Sequence, residues 1–80
     1  MHTVFLEFEL GDHSAIVFKS LKPELGAVPS ERSKVNMSVQ EGRLNLFITA
    51  DDIISLRAAI NTWLRLVKIA EEMLNTKVTS

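Results

Sequence analysis

Eighty residues make one small domain, and a composition of 46% hydrophobic and 24% charged residues excludes a disordered tail. Nine Lys and Arg against ten Asp and Glu leave a net charge of −1, so no bulk basicity announces nucleic acid. The lack of cysteine excludes disulfides, and a chain this short buries only about 60–65% of its unfolded surface, so self-association is the expected supplement to the core.

From the N-terminus, Val4, Leu6, Phe8 and Leu10 alternate with Thr3, Phe5, Glu7 and Glu9, the period of a strand buried on one face. Gly11 and Asp12 break the run, and a helix is predicted from His13 to about Leu21 with Asp12 as its cap. On that helix Ser14, Val17, Phe18 and Leu21 share a face and Ile16 points the other way. Pro23 ends it, and Leu25 to Arg32, with Gly26, Pro29 and Ser30, reads as a loop.

Val35, Met37 and Val39, then Leu44, Leu46 and Ile48, alternate with polar neighbours on either side of Glu41-Gly42. A two-residue turn there pairs Val39 with Leu44, Met37 with Leu46 and Val35 with Ile48, whereas a one-residue slip would mix the faces. Thr49-Ala50-Asp51-Asp52 then signals a helix start, with Thr49 or Asp51 as cap, and the helix runs from about Asp52 to Asn75. The tail Lys77–Ser80 is expected to fray.

The element order is βαββα in a single α+β domain spanning residues 1–80. The handedness of crossovers favours a three-stranded antiparallel sheet of order 1-3-2 with both helices on one face. No apolar run approaches the roughly 18 residues a membrane span needs. Met1-His2-Thr3 lacks a charged region followed by an apolar one, so a cytoplasmic protein away from membranes is expected.

The inventory of reactive residues argues against an enzyme. Cysteine, tyrosine, a Gly-rich phosphate loop and a Gly-x-Ser-x-Gly elbow are all lacking. Glu7 and Glu9 share a strand face but read as solvated surface, and Asp51 and Asp52 read as helix-start residues. His2 and His13 sit in separate elements without a clustered third ligand, so neither a metal nor another cofactor is expected.

The long helix is more informative. Ile53, Leu56, Ile60, Trp63, Val67 and Leu74 form a stripe toward the sheet; Ala59, Leu66, Ala70 and Met73 form a second band beside it, with Ile69 further round. So wide an apolar arc fits packing on sheet and first helix together, and equally fits docking of another chain on part of the arc with Ile16. Ser55, Ala58, Ala59 and Thr62 are small enough to admit a second helix closely. Arg57, Asn61, Arg65 and Lys68 line the remaining arc, a solvated face that could join Arg32, Lys34 and Arg43 in a local basic patch. Phe5 and Phe47 point outward from adjacent strands, as the base-stacking aromatics of RNA-binding sheets do. Against that reading stand the missing fourth strand, the lack of an RNP1-like run, and the acids Glu7 and Glu9.

Three segments recur in order: Val17-Phe18-Lys19-Ser20-Leu21-Lys22-Pro23-Glu24, Pro29-Ser30-Glu31-Arg32-Ser33-Lys34-Val35, and Leu56-Arg57-Ala58-Ala59-Ile60-Asn61-Thr62-Trp63-Leu64-Arg65. Together they resemble the family of the smallest core subunit of the KEOPS (EKC) complex, related to cancer/testis antigens, and the resemblance runs from Val4 to Leu74. The compact ends look more like the archaeal members. The resemblance implies two helices on a three-stranded antiparallel sheet and a non-catalytic scaffold that homodimerises. It implies that the scaffold joins two ATPase-fold catalytic subunits through helical contacts, with kinase-like and accessory subunits reached indirectly. It implies assistance to tRNA binding while threonylcarbamoyladenosine is formed beside the anticodon. Under that resemblance Ile16, Ala59, Leu66, Ile69, Ala70 and Met73 are the expected partner-subunit interface, and Arg32 and Lys34 the expected tRNA contacts. The alternative is a free-standing RNA-binding domain using the open sheet face at Phe5 and Phe47.

Overall fold

Alternation of apolar and polar residues builds β1 (His2–Glu9), β2 (Ser33–Gln40) and β3 (Arg43–Ala50). In the computed structural model, which describes residues 1–27 and 32–75, they form a sheet of order β1-β3-β2, antiparallel at both junctions. The expected hairpin register holds: Val39 opposes Leu44, Met37 opposes Leu46 and Val35 opposes Ile48. β1 completes each row, with Phe8, Leu6 and Val4 opposite the same three residues of β3. Leu44, Leu46 and Ile48 are wholly buried, each stabilising the fold by about 1.5–3 kcal/mol. Glu41 (φ 50°) and Gly42 (φ 75°) both have positive φ, the requirement of a type I′ turn.

The helices cover one face. α1 (Ser14–Leu21) buries Ser14, Val17 and Leu21, with Phe18 partly buried against them, while Ile16 is exposed as expected. Asp12 is not its cap. Gly11, at φ +59°, starts a single 3-10 turn, Gly11–His13, and His13 takes the cap position without a side-chain bond. The expected loop from Leu25 also begins differently, because Glu24–Ala27 is a helical turn, α2. Proline is barred from a helix interior but suits the approach to a first turn, so Pro23 divides α1 from α2. The Pro29–Ser30 part of that loop and the tail at Lys77–Ser80 lie outside the described residues.

α3 (Ile53–Asn75) lies across the sheet, with Trp63 and Val67 buried and Leu56 and Ile60 packed on the same cluster. Its cap is Asp52, neither Thr49 nor Asp51. The Ser55 backbone N–H donates to Asp52 Oδ1 at 2.7 Å and the Ser55 hydroxyl to Oδ2 at 3.2 Å. Thr49 still belongs to β3, and the Asp51 N–H donates to the Arg32 carbonyl at 2.9 Å. Two members of the expected sheet-facing stripe lie open, Ile53 (51% exposed) and Leu74 (37%). A helix of 23 residues is ~34 Å long, against ~26 Å for strands of 8 residues, so its ends outrun the sheet. Val39, on edge strand β2 beside the turn, is likewise only partly covered.

Candidate partner and nucleic-acid surfaces

The six residues expected at a partner interface divide into two groups. Ala59, Leu66 and Ala70 are partly buried and pack against the core, whereas Ile16, Ile69 and Met73 stand exposed. Spacings of three and four residues align Leu66, Ile69 and Met73 on α3, so this ridge starts at the core and climbs into solvent. Ile16 belongs to the outward side of α1. Ile54 and Leu64 are also exposed apolar residues on α3. The sequence reading assigned them no role; their only signal was to be apolar while off the stripe.

Arg57, Asn61, Arg65 and Lys68 are exposed along α3. The expected merger of Arg43 with Arg32 and Lys34 does not occur. Lys34 opposes Thr49, whereas Arg43 is at the other end of β3, six residues and ~20 Å away. Arg43 instead reaches Glu7 at 3.9 Å and Glu9 at 3.8 Å, a register effect, since Glu9 is its direct partner on β1.

Arg32 and Lys34 do share a corner. Both are exposed and line a shallow groove with Met1, Ser33, Thr49, Ala50 and Asp51. The two cations differ in their surroundings. The Asp52 carboxyl is held below its ordinary range, chiefly by the Ser55 backbone N–H, then by the Ser55 hydroxyl, with the Arg32 charge adding to the effect. Arg32 thus directs part of its field to the cap of α3, while Lys34 stands on the uncovered face of the sheet.

That uncovered face has a row structure. Phe5 and Phe47 are direct cross-strand partners, 56% and 43% exposed, and Asn36 of β2 completes their row. The next row holds Thr3, Thr49 and Lys34. On the other side lie Glu7, Asn45 and Ser38, where Asn45 Oδ1 is enclosed without a hydrogen-bond partner.

Among the described residues no group of three or more His, Cys, Asp and Glu is placed to hold a metal, and no helix is long and apolar enough to cross a membrane. His2 lies on β1 and His13 in the turn before α1. The family described as transcription factor Pcc1 matches residues 1–75. The "KEOPS complex subunit Pcc1" of Pyrococcus abyssi (strain GE5 / Orsay) is 35% identical over 72 residues, which cover 90% of this chain and 88% of that protein. With nearly its whole length matched in both comparisons, the chain belongs to the Pcc1 family.

Proposed function

We propose that this chain is a non-catalytic scaffold subunit of a KEOPS complex, that it homodimerises, and that each copy docks one ATPase-fold catalytic subunit on its helices. On this reading the chain works in the cytoplasm and assists tRNA binding through Arg32 and Lys34 while threonylcarbamoyladenosine is formed beside the anticodon. The kinase-like and accessory subunits are reached through the catalytic one. The observation that carries the reading is the ridge at Ile69 and Met73, exposed on a helix whose other side is anchored by Trp63 and Val67. Single exposed apolar residues are ordinary, but an aligned set joined to the core is what a docking helix needs. The name of the relative from Pyrococcus abyssi supports the choice of complex.

The test is co-purification with the cognate catalytic subunit. Ile69→Asp together with Met73→Asp should abolish capture, because an unpaired carboxylate buried in such an interface costs several kcal/mol. Leu66→Asp is a poorer probe, since Leu66 packs on the core. Full capture by the folded double variant would move the interface elsewhere. For the dimer, light scattering that gave the monomer mass of 9.0 kDa at micromolar concentration would overturn that part of the reading.

A further inference from the structure

We propose that the uncovered face of the sheet takes an unpaired nucleotide of single-stranded RNA, its base stacked on the Phe5–Phe47 pair and its phosphate directed toward Lys34. The proposal refines the tRNA contact in the reading above but stands on the geometry of this face alone.

Two aromatic rings from adjacent strands, in direct register and about half exposed, form the kind of platform on which unpaired bases stack. A ring pair on an open surface has no packing role in the core, which lies on the opposite face with Leu44, Leu46 and Ile48. Polar groups flank the platform in the order a nucleotide needs. Asn36 lies in the same row, where an amide can both donate to and accept from a base edge. One row along, ~7 Å away, Thr3 and Thr49 offer hydroxyls at the level of the sugar and Lys34 a cation for its phosphate. Arg32, at the same corner, extends the positive end toward the next phosphate.

The acids that argued against RNA on this face are placed so that they set direction. Glu7 stands one row from the platform and Glu9 two rows, both on the side away from Lys34, and Arg43 draws both into ion pairs. Their remaining field repels phosphate from that end and favours the Lys34 end. Asn45, between Glu7 and Ser38, keeps a carbonyl oxygen without a partner; turning the amide toward a stacked base would satisfy it. A second protein copy fits the face less well. Apart from Met1 at the Lys34 corner, the two rings are its apolar content among threonines, asparagines, Ser38, Gln40 and charges, whereas a protein interface concentrates apolar area at its centre.

The experiment titrates the full chain with a fluorescein-labelled single-stranded octaribonucleotide at several salt concentrations. Phe5→Ala and Phe47→Ala should each weaken binding roughly tenfold, with Phe47→Tyr restoring it. Lys34→Gln should lower the salt slope by about one, and the ring variants should leave that slope alone. Failure of the native protein to bind the oligonucleotide, or unchanged affinity in folded Phe47→Ala, overturns the proposal. A halved solution mass in Phe47→Ala overturns it too, by showing that a second copy covers the rings. Capture of the catalytic subunit by the same variants should be intact; losing it would count against the scaffold reading and not against this one.

Discussion

The backbone N–H of Gly11 donates to the carbonyl of Gly42 at 2.9 Å, which ties the exit of β1 to the turn between β2 and β3. The two glycines are also in close approach: a Cβ on Gly42 would stand 3.4 Å from the Cα of Gly11. That distance is ordinary van der Waals contact, so the cost of Gly42→Ala comes from its positive φ, and the change should destabilise the fold by about 1–2 kcal/mol. Urea denaturation checks this through the midpoint at constant slope. Glu41 occupies positive φ without being glycine, so Glu41→Asn should shift the midpoint the other way, by up to about 1 kcal/mol.

The cap of α3 gives a pH dependence with a definite sign. The folded pKa of Asp52 is depressed, so its stabilising contribution is present above the unfolded pKa and is lost as pH falls through the folded one. Asp52→Ala should lower the thermal midpoint at neutral pH, and the gap to the native protein should close from roughly pH 4 downward. Asp52→Asn should keep part of the cap and lose the pH dependence. A gap that stayed constant across the acid range would show that the carboxylate charge is idle at the cap.

Ser14 is 2% exposed and its hydroxyl has no hydrogen-bond partner. Removing an enclosed, unpaired hydroxyl relieves a desolvation cost, so Ser14→Ala should be neutral or stabilising by up to about 1 kcal/mol. Leu46→Ala, in the same core, should cost about 2–5 kcal/mol, a large part of the stability of so small a domain. Chemical denaturation of the two variants side by side tests the contrast. A Ser14→Ala variant as weak as Leu46→Ala would mean that the hydroxyl has a partner.

The rows of the sheet were legible because strand period two leaves a single register in which Val35, Met37 and Val39 all meet inward partners. What periodicity does not encode is length. It places Ile53 and Leu74 on the correct side of α3, but only the finished sheet shows that the helix runs past it and leaves both open. The cap was misplaced for a similar reason: the bond from Asp51 to Arg32 keeps the chain extended one residue beyond the expected start. Arg43 shows the limit for sites. Its charge was plain in the sequence, yet its attachment to Glu7 and Glu9 depends on the pairing of β1 with β3, two segments more than thirty residues apart along the chain.

The difference between Arg32 and Lys34 leads to a prediction for the assembled complex. Phosphate contacts position a nucleic acid without reading its sequence, and each one lost lowers the salt slope by about one. Arg32→Glu with Lys34→Glu should weaken tRNA binding by the complex and flatten its salt dependence by about two. The single changes should not be equal. The Arg32 charge already helps hold the Asp52 carboxyl below its ordinary range, so part of its field is compensated locally, and Lys34→Gln should weaken binding more than Arg32→Gln. Arg32→Glu carries a separate risk, because an acid placed beside Asp52 weakens the cap of α3. Circular dichroism on each variant, with Arg32→Gln as the milder companion, separates that loss from loss of contact. Filter binding of tRNA across a salt series, on complexes of native stoichiometry, then gives affinity and slope together. Equal affinity and equal slope for the native and doubly substituted complexes would reduce this corner to ordinary solvated surface.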